Sequence, residues 1–258
     1  MTAVKNFFKE RKFNIIGSVT AVILMWLVWI TAYYCVGNKL IVPSFTETLA
    51  RFFKNFASAE FWAGLGGSLL RTLAAFLVSL IGAAVCAAFA ALSKVFKAIL
   101  KPVMTLIRVL PTLAVSLIIL KLTLGNRSVS PAIVTVLVLF PAIYAQLTAA
   151  TEGIDRGLTE MAQVYNISRR NRLFKIYLPL VLPNTLSQTG ANISLGLKVT
   201  VSAEVLVNTA KGLGGMVQES SLSAEIANLA ALTLAAVVAG LLLDIAFSQL
   251  KWLTYKWN

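Results

Sequence analysis

TEGIDRGLTEMAQVYNISRRNRLFKIYLP, residues 151–179, is the most charged stretch of a chain otherwise built from long apolar runs. Within it Ile154, Leu158, Met161 and Tyr165 recur at spacings of four, three and four. That is the spacing of one apolar stripe on a short helix. Asn166 and Ser168 break the pattern, and a basic helix, SRRNRLFKIYLP, leads back to an apolar run. A greasy stripe on a polar excursion predicts a docking surface outside the bilayer. The simpler alternative, a loop packed on its own bundle, is left open by periodicity alone.

Working outward, 58% of the 258 residues are apolar and 13% are charged, against about 25% charged in an ordinary soluble domain. Mean hydropathy is +0.82. A soluble body of this size could not hide so much apolar surface. A soluble enzyme, a disordered chain and a nucleic-acid-binding module are therefore excluded, in spite of the net charge of +13. There is no histidine, so the commonest zinc ligand and the commonest general base are missing. Cys35 and Cys86 have no CxxC spacing and read as free thiols. No metal site or cofactor site is expected.

About 20 residues cross a bilayer as a helix, and six such spans fit. The first is Ile15 to Val36, after a basic head; it is too long for a signal-peptide core. The segment TETLARFFKNF follows, with Leu49, Phe52, Phe53 and Phe56 on one face, and predicts a helix lying in the interface. Span two is about Leu65 to Leu92, rich in Ala and Gly and so expected inside the bundle. Span three is about Pro102 to Leu124, interrupted at Pro111; span four is about Pro131 to Ala150. Span five is about Leu180 to Val207, and span six about Ile226 to Leu250, closed by the interfacial anchors Trp252, Tyr255 and Trp257.

With the amino terminus inside, fourteen Lys and Arg fall in inside segments and five in outside segments. That bias predicts both termini, and the loop at about 152–178, in the cytoplasm. Arg108, Lys198 and Glu204 remain in or near spans, where charges face a cavity or one another. Glu204 stands six residues beyond Lys198, about 240° around one helix, so the two do not pair. Span five also carries Ser194 and Ser202, and span three carries Thr112 beside the Pro111 break. Together these make the candidate pathway. Gly190 and Gly196 read as close packing points.

Glu160-Met161-Ala162, then Asn166, then Ile176-x-Leu178-Pro179, resembles the cytoplasmic EAA loop of ATP-binding cassette (ABC) importer permeases, with Met161 at the middle Ala and Asn166 at the Gly. Asn tolerates the left-handed backbone that a Gly serves. Ser68-Leu69-Leu70-Arg71, Arg108-x-x-Pro111-x-x-Ala114, Pro141, Ala203-Glu204 and Gly212-Leu213-Gly214 resemble the nitrate, sulfonate and taurine branch, which includes permeases for thiamine and riboflavin precursors. The resemblance implies an all-α polytopic membrane protein of about six transmembrane helices, a type I importer permease, as a single transmembrane domain over residues 1–258 of the bacterial inner membrane. It implies a homodimer, two cytoplasmic ATPase subunits that bind ATP and magnesium, an extracytoplasmic binding protein, and a small anionic or zwitterionic solute. Leu158, Glu160, Met161, Ala162, Tyr165, Asn166, Arg169 and Arg170 would couple to the ATPase. The chain has no G-x-x-x-x-G-K-[ST] loop. A self-contained carrier or channel is the rival class. It would need an internal repeat or several intramembrane acids, and neither is seen.

Overall fold

The computed structural model describes residues 2–39 and 41–249 (for 2–16, 18 and 19 the backbone only), and those residues form helices joined by short turns. The anchors Trp252, Tyr255 and Trp257 lie outside the described residues. The first helix, α1 (Thr2–Val36), has an apolar part at Thr20–Val36 whose residues from Val22 to Val28 are exposed. Trp29 Nε1 donates to the Pro43 carbonyl at 3.0 Å and ties its end to the following turn.

Helix α2 (Phe45–Phe56) starts where Ser44 Oγ accepts from the Glu47 N–H. Part of its amphipathic face is docked on the chain itself. Phe52 and Phe56 pack on Phe61, Leu65 and Leu232, while Phe53 stays 63% exposed. Asn55 Nδ2 donates to Asn228 Oδ1 at 2.9 Å. The body that receives the apolar face is made by the ends of neighbouring helices, which sequence reading could not place.

Four helices are long and apolar enough to span: α3 (Ala59–Leu92), α6 (Ser130–Glu152), α9 with its lead-in (Arg169–Val207) and α11 (Ile226–Ser248). The third expected span is different. Helix α4 (Lys94–Val109) and helix α5 (Thr112–Leu122) meet at a bend of 97°. Pro111 has no N–H and drives Leu110 before it into extended backbone, ψ 129°. The interruption expected at Pro111 is therefore a turned corner, and α4 begins eight residues earlier than predicted.

Between α6 and α9 the loop folds as α7 (Arg156–Val164), α8 (Arg169–Arg172) and a π-helical turn, Leu173–Tyr177, that runs straight into α9 (Leu178–Val207). Pro179 has no N–H for the carbonyl a turn earlier; the wider π turn carries the chain through without a break. A short helix, α10 (Leu213–Leu222), lies between α9 and α11.

The bundle core is α3, α6 and α9 in mutual contact, with α11 packed on α9. Small residues set the spacing: Ala83, Ala87 and Ala90 of α3 are buried. A Cβ on Gly190 would stand 2.4 Å from the Asp244 carbonyl oxygen of α11, and one on Gly196 would meet Leu139 and Thr72. Beside Gly196, Thr200 Oγ1 lies 3.0 Å from Thr72 Oγ1 and 2.8 Å from Thr135 Oγ1. Three helices thus share one fully buried hydroxyl cluster. Both glycines are the packing points expected of them.

Candidate functional site: a coupling helix and a polar face

Asp155 caps α7; its Oδ1 accepts from the Gly157 N–H at 2.8 Å. The helix closes with two further bonds. Ile167 N–H donates to the Ala162 carbonyl and Asn166 N–H to the Gln163 carbonyl, both at 3.0 Å. That pair of bonds is the Schellman closure, which needs a left-handed residue at its corner. Asn166 supplies it, with φ 48°. Ser168 Oγ then accepts from Asn171 N–H and starts α8.

The stripe divides. Ile154 turns inward against the bundle core. Leu158, Met161 and Tyr165 face out, at 37%, 50% and 75% exposure, with Val164 beside them at 78%. Glu160, Arg169 and Arg170 are exposed as well. Ala162 is fully buried, so it cannot touch a partner; it packs α7 onto its own chain. Val164, three residues after Met161, was missed because Tyr165 beside it was counted in its place. Phe174, 56% exposed, was missed because it sits in the basic run.

The pathway candidates do not form one group. Ser194, Lys198 and Ser202 line one groove between α9 and α11, and Ser202 Oγ donates to the Lys198 carbonyl at 2.8 Å. Lys198 is exposed. Arg108 is elsewhere, donating through Nη2 to the Pro141 carbonyl at 3.1 Å. Pro111 and Thr112 form the corner between α4 and α5.

Glu204 corrects the reading that put it in the pathway, because it is wholly enclosed within this chain. Its Oε1 pairs with Arg71 Nη1 at 2.7 Å; its Oε2 accepts from Ser68 Oγ at 2.6 Å and from Gly214 N–H at 3.0 Å. Ser68 Oγ in turn accepts from Leu213 N–H at 2.8 Å. Arg71 Nε reaches the Ser128 carbonyl. Ser68–Arg71, Glu204 and Gly212–Gly214, three separate places where the sequence resembles the family, converge on one ion pair. The carboxylate has no room for a side chain at Gly212 or Gly214.

One more feature escaped the sequence. Asn184, Gln188, Ala191, Leu195, Lys198 and Ser202 recur at four, three, four, three and four along α9, and none of them is buried. They trace one face over about 27 Å, the thickness of the hydrocarbon core. Its polar members were scattered in sequence among buried apolar ones, which hid the face.

The described residues thus form a bundle of helices with a broken span, a polar helix face and an exposed greasy helix on its loop. Residues 80–251 match the family model described as binding-protein-dependent transport system inner membrane component. The chain belongs to that family, and is a multi-pass inner-membrane permease subunit of an ABC importer. It is 27% identical to the taurine transport system permease protein TauC of Escherichia coli (strain K12), over 94% of this chain and 89% of that one. It is 25% identical to the putative aliphatic sulfonates transport permease protein SsuC of Bacillus subtilis (strain 168), over 86% and 80%. Among solved structures, a bacterial alginate ABC transporter, in complex with an alginate pentasaccharide-bound periplasmic protein, matches with TM-score 0.63 at 15% identity. The match covers 89% of this chain and 92% of that one. It supports the fold.

Proposed function

We propose that two copies of this chain form the translocation pathway of an importer for a small organic sulfonate or a similar anion or zwitterion. An extracytoplasmic binding protein delivers the solute, and two cytoplasmic ATPases, which bind ATP and magnesium, dock on α7. The observation that carries the reading is the polar face of α9, with Lys198 toward its carboxyl-terminal end. Such a face is costly against lipid, and a two-fold axis beside it gives each copy's face a wet partner and sets two lysines on opposite walls. The taurine and sulfonate permeases among its relatives have the same chemistry of cargo in their names.

The α7 stripe supports the coupling half of the reading. Leu158, Met161, Val164 and Tyr165 form a greasy patch on a short, capped helix. Its closure at Asn166 and the unbroken helix from Arg169 make a stiff link to α9. A push on α7 would therefore move the polar face. The carrier alternative is disfavoured by the acids: Glu204 is held by Arg71 and cannot bind and release an ion cheaply.

The test is uptake of labelled taurine or ethanesulfonate in cells lacking other sulfonate importers. Lys198→Met should lower uptake about tenfold or more, equivalent to about 1.4 kcal/mol, and Lys198→Arg should be the mildest change. Full uptake by the Met variant at limiting substrate would remove Lys198 from the pathway.

A further inference from the structure

Lys97, Lys101, Thr105 and Arg108 lie on one face of α4, at spacings of four, four and three. Across from them stand Tyr144, Thr148 and Glu152 of α6. Between the two helices is a cavity of about 480 Å³, within the range of small-ligand sites. Its charge does not balance. Glu152 pairs with Lys97, and among the described residues no carboxylate is in ion-pair distance of Lys101 or Arg108.

Arg108 is the informative member. A cation near a helix end lowers its cost by stretching toward water. Here the guanidinium turns across to α6 and donates to the Pro141 carbonyl at 3.1 Å. One neutral carbonyl oxygen takes one of its five N–H groups and none of its charge. Arg108 also lies eleven residues along α4 from Lys97, about 16 Å deeper. A lipid phosphate at the surface can meet Lys97 or Lys101, but not that guanidinium. On the other side of α6 is the polar face of α9: Ala145 borders both this cavity and the one lined by Gln146, Asn184 and Gln188.

We propose that this cavity is an oxyanion site of the sulfonate, sulfate or phosphate class. It lies toward the end of the bundle assigned to the cytoplasm, with Arg108 as its deepest contact and Lys101 as the next. The identification of the occupant as the transported anion rests on the function proposed above. The site is then a release station: the anion leaves the α9 face, meets Arg108, and passes by Lys101 to water. Successive weak cationic contacts let an ion enter and still leave.

The test uses the purified permease in phosphatidylcholine nanodiscs, with ethanesulfonate as probe and acylation of individual lysines read by mass spectrometry. Ethanesulfonate at ten times its half-saturating concentration should slow acylation of Lys101 about tenfold, and leave Lys94 unaffected. Arg108→Gln should raise the half-saturating concentration about tenfold, whereas Arg108→Lys should keep protection. No protection of Lys101 in neutral lipid would overturn the proposal. So would protection by phosphatidylglycerol that ethanesulfonate neither adds to nor displaces, since that would mark a lipid headgroup site. The readout needs no transport, so a wild-type chain that takes up no sulfonate but shows protection would refute the transported cargo and leave the anion site standing.

Discussion

A carboxylate enclosed at membrane depth costs several kcal/mol unless its oxygens are filled. Glu204 fills them with a guanidinium and a hydroxyl from α3 and a backbone N–H from α10. Removing one member leaves the others uncompensated. Glu204→Ala should destabilise the detergent-purified protein by about 3–5 kcal/mol, read as a fall in melting temperature and yield. Glu204→Gln, which keeps an acceptor for Ser68 and Gly214, should lose less. Equal stability of the Ala variant would show that the ion pair is dispensable. The sequence made Glu204 visible as an intramembrane acid, and its helical angle separated it from Lys198. What it could not supply was Arg71, which lies 133 positions away.

At the scale of elements, what was legible followed local chemistry. The Asn166 turn, the glycine contacts and the long apolar helices each rest on neighbours in sequence or on small residues, and the structure has them. The corner between α4 and α5 was half legible: Pro111 announces a break, but only the tertiary fold sets its 97°. The docking of α2 and the polar face of α9 were not legible, because each depends on which side of a helix another element covers. The packing of α9 on α11 gives a direct check. Gly190→Ala drives a Cβ into the Asp244 backbone of α11, whereas Gly66 has open space around it. Gly190→Ala should lose about 1–3 kcal/mol of stability in thermal unfolding, and Gly66→Ala little. Equal effects would contradict the close approach of the two helices.

For the whole molecule, orientation and assembly join these parts into a machine. The charge bias predicts α7 inside and the Lys211 loop outside. Single cysteines in a background without Cys35 and Cys86 should be labelled from outside intact cells at position 211 and not at position 170. External labelling at 170 would invert the arrangement. The central claim is that the greasy stripe of α7 is where an ATPase seats. Cysteine cross-linking from α7 to the co-expressed ATPase tests it most directly. Cysteines at positions 161 and 164 should form cross-links, with a change in yield on adding ATP, and a cysteine at the buried position 162 should not. Absence of any cross-link from 161 and 164, in a complex that still transports, would contradict the account.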